Sequence, residues 1–248
     1  MKAIITDLDR TLLHTDKSVS EHTIAVLKRC HDHGILIMAA SARPIRDILI
    51  YNNLIGFDAI TATNGAVISL HQKLLEIGIS CESGEKILSA ILEYPDVFLS
   101  IETNKGLYSN RDIPIWEPVI WDKFPTLPED IILYKILASS QQKPLYEGIE
   151  TTLTNDVYHT IANNDLIQIM SKDATKWNGI KQMLSHFGVS PSEAVYFGDD
   201  NDDIEPIKNC GLGVAVSNAI PSVLDIADRI IDSNDMDGVA KFIEENLL

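Results

Sequence analysis

The chain has 248 residues, 45% of them hydrophobic, and a formal net charge of −16 from 36 acidic against 20 basic side chains. That length holds one large domain or two small ones. The acidic balance excludes nucleic acid as the main partner, because a phosphate backbone is gripped by clustered Lys and Arg. No apolar run approaches the ~20 residues of a membrane span, and Asp7 and Asp9 come too soon after Lys2 for a signal-peptide core. The cysteines, Cys30, Cys81 and Cys210, are odd in number and far apart. They are expected to be reduced, buried thiols in a cytoplasmic protein, with no paired metal-ligand spacing.

Strand and helix alternate over the first 80 residues. Ala3 to Thr6 is a predicted strand that runs directly into Asp7-Leu8-Asp9-Arg10-Thr11-Leu12. Ser20 is placed to cap a helix whose stripe is Ile24, Leu27 and Cys30 or His31, closed by Gly34. His31 and His33 at its end are expected to be charge partners rather than metal ligands. The continuous apolar run Ile35 to Ala40 predicts a buried parallel strand, and Pro44 opens a helix over Ile45 to Asn52. Ile60 to Thr63 and Ala66 to Leu70 flank the turn signal Asn64-Gly65.

The middle, about 82 to 172, carries nine of the 16 aromatic residues, enough bulk for a core of its own. Trp116 and Trp121 are expected in that core. Strand patterns at Val97 to Glu102, Ile131 to Ala138, Val157 to Ile161 and Leu166 to Met170 mix with helices near Glu85 to Leu92 and Pro144 to Leu153. Alternation then resumes. Helices are predicted over Thr175 to Phe187, Ile204 to Asn209, Ile220 to Ala227 and Gly238 to Leu247, and strands over Ala194 to Phe197, Gly211 to Val216 and Arg229 to Ile231. The resulting expectation is an α/β fold. A Rossmann-like parallel sheet core (residues 1–81 and 173–248) carries an inserted α+β domain (82–172).

Ligands of such sheets bind beyond the carboxyl ends of the strands. Four chemistry-bearing pieces fall there: Asp7 to Leu12, Ser41-Ala42-Arg43-Pro44, Lys176 at a helix start, and Gly198-Asp199-Asp200-Asn201-Asp202-Asp203 after a strand. An EF-hand is disfavoured, because its Gly and terminal Glu spacing are absent. Together with Thr63-Asn64-Gly65-Ala66, Val214 to Ala219 and Asn234 to Ala240, these pieces resemble a haloacid dehalogenase (HAD) superfamily phosphatase of the Cof-like type, a branch with a large type-2 (IIB) cap. Arg10 stands where many members carry Gly. Ser41-Ala42-Arg43 replaces the commoner Thr-Gly-Arg, Trp177 replaces a Gly, and Asp202 an Asn.

The chemistry of the residues agrees with that resemblance. Asp7 is suited to attack phosphorus and form an aspartyl-phosphate, and Asp9 to protonate the leaving oxygen and then activate water. Phosphoryl transfer needs its equatorial oxygens positioned and neutralised. Leu8, Ser41, Ala42, Lys176 and Asp202 are the candidate phosphate contacts, with Lys172 as an alternative to Lys176. Arg43, Arg46 and Asn64 are candidate substrate contacts. Unit charges about 4 Å apart at an effective dielectric near 20 repel by about 4 kcal/mol, so clustered carboxylates call for a cation, and oxygen donors beside a phosphate select Mg²⁺. The resemblance implies metal binding by Asp7, Asp9 (through its backbone carbonyl), Asp199 and Asp203, the last through water. The expected partner is a small phosphorylated metabolite, on a monomer or homodimer with no membrane association. A catalytically weak phospho-ligand binder, suggested by Asp202 and Trp177, and a phosphomutase are the alternatives.

Overall fold

A computed structural model describes residues 1–114, 116–140, 145–162 and 166–248. The chain divides into two compact units, Met1–Leu75 joined with Thr175–Leu248, and Glu76–Ala174 between them. The first division therefore falls six residues before the expected joint at 81/82. The reason is local: Ser80 caps a helix that begins at Cys81, so the expected joint lies inside the first turn of that helix.

In chain order the first unit starts with β1 (Ala3–Thr6), α1 (Glu21–Asp32), β2 (Leu36–Ala40), α2 (Ile45–Ile55), β3 (Ala59–Ala62), β4 (Val67–Leu70) and β5 (Lys73–Glu76). The inserted unit contributes α3 (Cys81–Ile91), β6 (Phe98–Thr103), β7 (Gly106–Ser109), β8 (Val119–Ile120), β9 (Leu133–Ser139), α4 (Leu145–Ile149), β10 (Val157–Ala162) and β11 (Leu166–Ser171). The chain returns through α5 (Lys176–His186), β12 (Ala194–Gly198), α6 (Ile204–Asn209), β13 (Leu212–Val216), α7 (Pro221–Leu224), β14 (Arg229–Ile231) and α8 (Gly238–Asn246).

The core sheet has the order β14-β13-β12-β1-β2-β3-β4-β5. It is parallel from β14 to β3, and β4 turns back antiparallel on β3. β1 lies at its centre, with Thr6 opposite Phe197 of β12 and opposite Ala39 of β2. Asp7 and Asp199 thus leave neighbouring strands at the same end, and the Asp7 amide still donates to the Phe197 carbonyl at 2.9 Å. Every residue of β1, β3 and β12 is buried, as a sheet covered on both faces requires.

Two close approaches fix the site's surroundings. A Cβ on Gly179 of α5 would lie 2.1 Å from Thr61 Oγ1, and one on Gly65 (φ 101°) would lie 2.1 Å from the Thr175 carbonyl oxygen. The Asn64-Gly65 turn and the start of α5 therefore touch backbone to backbone. Thr175 caps α5 by accepting the Asn178 amide, so Trp177 sits in a normally formed helix start.

The inserted unit is a mixed sheet of order β10-β11-β9-β6-β7-β8, antiparallel except for β7 against β8. Its buried cluster joins Ile87, Leu88 and Ile91 of α3 to Leu99, Ile101, Ile136, Ile167 and Ile169 of the sheet. β5, β7 and β8 were not legible in the sequence. They are four, four and two residues long, too short to show a period. The helix expected over Ile220 to Ala227 covers only Pro221–Leu224. Pro144 and the side chain of Tyr146 lie outside the described residues.

Trp116 is a correction: it is 44% exposed and not in the core. Trp121 packs edge-on against Tyr108 and donates its indole N–H to the Thr126 carbonyl at 2.8 Å. Cys81 is also exposed, whereas Cys30 and Cys210 are buried free thiols as expected. His31 pairs with Asp58 at 3.1 Å, and His33 caps α1 with its ring 2.8 Å from the Arg29 carbonyl. Among the described residues no helix is long and apolar enough to cross a membrane.

Candidate active site

The turn after β1 is built by its own backbone. The Thr11 and Leu13 amides both donate to the Leu8 carbonyl, at 3.3 and 2.8 Å. Arg10 is held at φ 61°, the left-handed region, which accounts for a position where glycine is the easier residue. Asn218 secures it by donating its amide to the Arg10 carbonyl at 2.8 Å. This curl aims Thr11 across the sheet, where its hydroxyl donates to Asp199 Oδ1 at 2.7 Å. The Leu8 side chain is fully buried, so only its main chain can serve a phosphate.

The turn after β12 wraps around Asp203. Its Oδ2 accepts the Asp199 and Asp200 amides at 2.8 and 3.0 Å, and its Oδ1 accepts Lys176 Nζ at 2.6 Å and the Tyr196 hydroxyl at 2.5 Å. A Cβ on Gly198 would come within 2.5 Å of the Asp203 side chain, so glycine is needed there. Four donors fill both oxygens of Asp203, which suits it to hold the turn and Lys176 rather than to bind an ion directly.

Lys176 is the hub. Its ammonium, 2% exposed, lies 2.9 Å from Asp7, 2.6 Å from Asp203 and 3.1 Å from Asp202. Burial acts to lower its pKa, but the three carboxylates outweigh it and hold the proton firmly. Lys172, the alternative, is exposed and belongs to the inserted unit. Asn64 completes the rim by donating its side-chain amide to Asp202 Oδ2 at 2.9 Å. The Ser41 loop is tied to it: the Asn64 amide donates to the Ser41 carbonyl at 3.2 Å, and the Thr63 amide to the Arg43 carbonyl at 2.8 Å. Ser41 is buried, its hydroxyl accepting the Arg43 amide at 3.2 Å in a local turn that also sets Ala42.

Asp9 lies in a different environment from Asp7. Arg43 grips it with two bonds, Nε to Oδ2 at 2.6 Å and Nη2 to Oδ1 at 2.7 Å, and Lys17 Nζ adds a third to Oδ1 at 2.7 Å. Partial burial would raise its pKa, but the hydrogen bonds from Arg43 and Lys17 bring it down to about 2. The Arg43 guanidinium is thus committed to Asp9. Arg46 is half exposed, with its guanidinium 3.9 Å from Asp47.

Carboxylate oxygens of Asp7, Asp199 and Asp203 lie within 4.8 Å of one another, all three residues buried. Opposite ligands on one octahedral Mg²⁺ lie about 4.2 Å apart, so a small inward movement would seat an ion. Burial pushes Asp7 well above the usual carboxylate range despite Lys176, and pushes Asp199 up to about 6, with the Thr11 hydrogen bond opposing. Thr11 is the only hydrogen-bond donor to the Asp199 carboxylate among the described residues. Hard oxygen donors, closely grouped and short of positive charge, fit a divalent cation. The Asp9 side chain is taken by Arg43 and Lys17, which leaves its main-chain carbonyl as the atom an ion would use.

Comparison with known proteins gives this geometry its family. Residues 4–243 match the model of the haloacid dehalogenase-like hydrolases. The chain belongs to this family. It is 29% identical to a Haemophilus influenzae protein that carries phosphatase as a provisional name, over 98% of this chain and 97% of that one. It is 26% identical to 5-amino-6-(5-phospho-D-ribitylamino)uracil phosphatase YitU of Bacillus subtilis, over 98% and 96% of the two chains. The fold matches a haloacid dehalogenase-like hydrolase of Bacteroides thetaiotaomicron with a TM-score of 0.86, covering 98% of each chain at 23% identity.

The structure brings to the site residues that gave no signal in the sequence. Thr11 stands inside the first motif but offered no periodic or charge signal. Tyr196 read only as strand, since alternation says which face a side chain takes and not what it meets. Lys17 gave no signal because it reaches Asp9 only through the folding of the loop between β1 and α1.

Proposed function

We propose that this hydrolase is a Mg²⁺-dependent phosphomonoester phosphatase for small organic phosphates, such as sugar phosphates or phosphorylated cofactors, working through an aspartyl-phosphate on Asp7. The phosphatase names of its relatives support the reaction class. The observation that carries the reading is the meeting of Asp7 with Lys176 at 2.9 Å and with Asp199 and Asp203 in one buried cluster.

Asp7 attacks phosphorus with a carboxylate oxygen, and the bond from phosphorus to the ester oxygen breaks. Asp9, ionised against Arg43 and Lys17 in the free site, takes up a proton as the phosphate ester binds, gives it to the leaving oxygen, and then takes one from the water that attacks the aspartyl-phosphate. That second step breaks the bond between Asp7 and phosphorus, frees inorganic phosphate and returns Asp9 to its protonated form. Lys176 holds Asp7 in place and offers its charge to the equatorial oxygens, with the Ser41 hydroxyl and the Leu8 and Ala42 amides as further donors. Asp7, Asp199 and the Asp9 carbonyl would hold Mg²⁺, with Asp203 behind them. When bound, the ion supplies charge neutralisation for the nucleophile and the transferring phosphoryl group. We assign substrate choice to the inserted unit, as the resemblance to a cap implies.

The test is release of inorganic phosphate from a panel of phosphate esters with Mg²⁺, for wild type and Asp7→Asn. Loss of a nucleophile should cost at least about 10³-fold in kcat. Wild-type turnover no faster than the variant would instead favour a phospho-ligand binder, a reading supported by the ionised, gripped state of Asp9. An isomerised phosphate ester as product would favour a mutase.

A further inference from the structure

Asp9 is held by more than a surface ion pair. Its carboxylate is about one-third exposed, and an isolated exposed pair would contribute little and leave the side chain free to turn. Here the two cations that grip it share one support. Tyr51 of α2 is almost fully buried, and its hydroxyl donates to the Lys17 carbonyl at 3.0 Å. Lys17 is fixed at φ 71°, with its amide donating to the His14 carbonyl at 2.9 Å. The same tyrosine ring lies under the Arg43 guanidinium, 5.4 Å from the ring centre, and Arg43 Nη1 makes a long 3.5 Å contact with the hydroxyl. One buried side chain therefore locates the backbone of one cation and the head group of the other.

We propose that Tyr51 and Lys17, with Arg43, form a cage that orients the Asp9 carboxylate, making Tyr51 and Lys17 positioning residues for proton transfer to and from the substrate. The proposal rests on the reading of Asp9 as the acid and base. The cage also selects an atom. Oδ1 accepts two hydrogen bonds, from Lys17 and Arg43, and Oδ2 accepts one, from Arg43 Nε. A carboxylate oxygen accommodates about two, so Oδ2 is the oxygen with an open lone pair. The geometry also connects α2 to the chemistry, although Arg46, a candidate substrate contact, was the one residue of that helix among the candidate site residues.

The test compares wild type, Lys17→Met, Lys17→Arg, Tyr51→Phe and Asp9→Asn on two probes. Glycerol 2-phosphate has a poor leaving group that needs a proton, and p-nitrophenyl phosphate has one that leaves without it. Lys17→Met and Tyr51→Phe should lower kcat on glycerol 2-phosphate about tenfold with KM changed less than about twofold, as displacement of a proton-transfer group does. With p-nitrophenyl phosphate the same variants should show a burst of p-nitrophenolate, because only the later step, activation of water, is slowed. Lys17→Arg should restore most of the rate. Unchanged kcat, a rise in KM alone, or lower thermal stability without a burst would each overturn the proposal. So would a crystal structure of Tyr51→Phe in which Lys17 and Arg43 still make all three bonds to Asp9. Asp9→Asn separates the two ideas: full activity there removes the acid–base reading, whereas an inactive Asp9→Asn beside a fully active Lys17→Met removes the cage alone.

Discussion

The charge of Asp202 bears on how the proposed site would receive a phosphate. Among the described residues Lys176 is the single cation of the buried cluster, and it already faces Asp7, Asp203 and Asp202. Burial and the neighbouring acids push the Asp202 pKa up, while Lys176 pulls it down. An ionised Asp202 therefore competes with the incoming anion for the same ammonium, and it also occupies the Asn64 amide. Asp202→Asn keeps the shape and removes the charge. It should tighten competitive inhibition by inorganic phosphate about 3- to 10-fold, a change of about 1 kcal/mol. Inhibition kinetics or calorimetry measure it, and weaker binding would mean that Asp202 serves the phosphate by orienting Lys176 and Asn64.

Between elements, the acid that matters is Asp237 at the head of α8. It accepts from the His14 ring at 2.9 Å and the Thr23 hydroxyl at 3.2 Å, joining the loop after β1 to the start of α1. Asp235 adds to the tie by accepting the Thr15 amide at 2.7 Å and its hydroxyl at 2.8 Å. The loop so anchored is the one that carries Lys17 to Asp9. Burial would raise the Asp237 pKa, but hydrogen bonds from Ser20, His14 and Thr23 hold it below the ordinary carboxylate value. A carboxyl whose folded pKa is depressed stabilises the protein when ionised. That contribution is complete above the unfolded pKa and disappears as pH falls through the folded one. Asp237→Asn should therefore cost about 1–2 kcal/mol near neutrality, and the gap from wild type in denaturant melts should close as pH falls through and below the carboxylate range. A gap that stays constant down to acid pH would show that the charge is not what matters.

For the molecule as a whole, the buried acids are a standing electrostatic cost unless a cation joins them. Asp7, Asp199 and Asp203 share one small volume with one lysine. An ion that binds only the folded state stabilises by RT ln(1 + [L]/Kd), about 2.7 kcal/mol at a hundredfold excess over Kd. In a chain of this size that is a rise of roughly 5–10 °C in the melting temperature. Mg²⁺ should produce such a shift and chelation should reverse it, read by scanning calorimetry with no substrate present. Asp199→Asn should abolish the response, and a response that survives this change would place the ion elsewhere.

The path from sequence to site was uneven, and physical reasons say where. Alternation of apolar runs with capped helices made the parallel core legible, because buried strands and amphipathic helices write periods into the chain. The positions of Asp7, Ser41, Lys176 and Asp199 at strand and helix ends were legible for the same reason. The short strands β5, β7 and β8 and the exposure of Trp116 were not, since a few residues carry no period and an aromatic residue does not say what covers it. The sequence assigned Asp7 and Asp9 different roles, but it gave no sign of the different surroundings of these two carboxylates two residues apart. Tertiary structure separates them: one is buried against a lysine and other acids, and the other is caged by Arg43 and Lys17 on the ring of Tyr51. Local chemistry chose which residues stand at the ends of the strands. Only the packing of distant segments decided which partners each meets, and so which charge each carries.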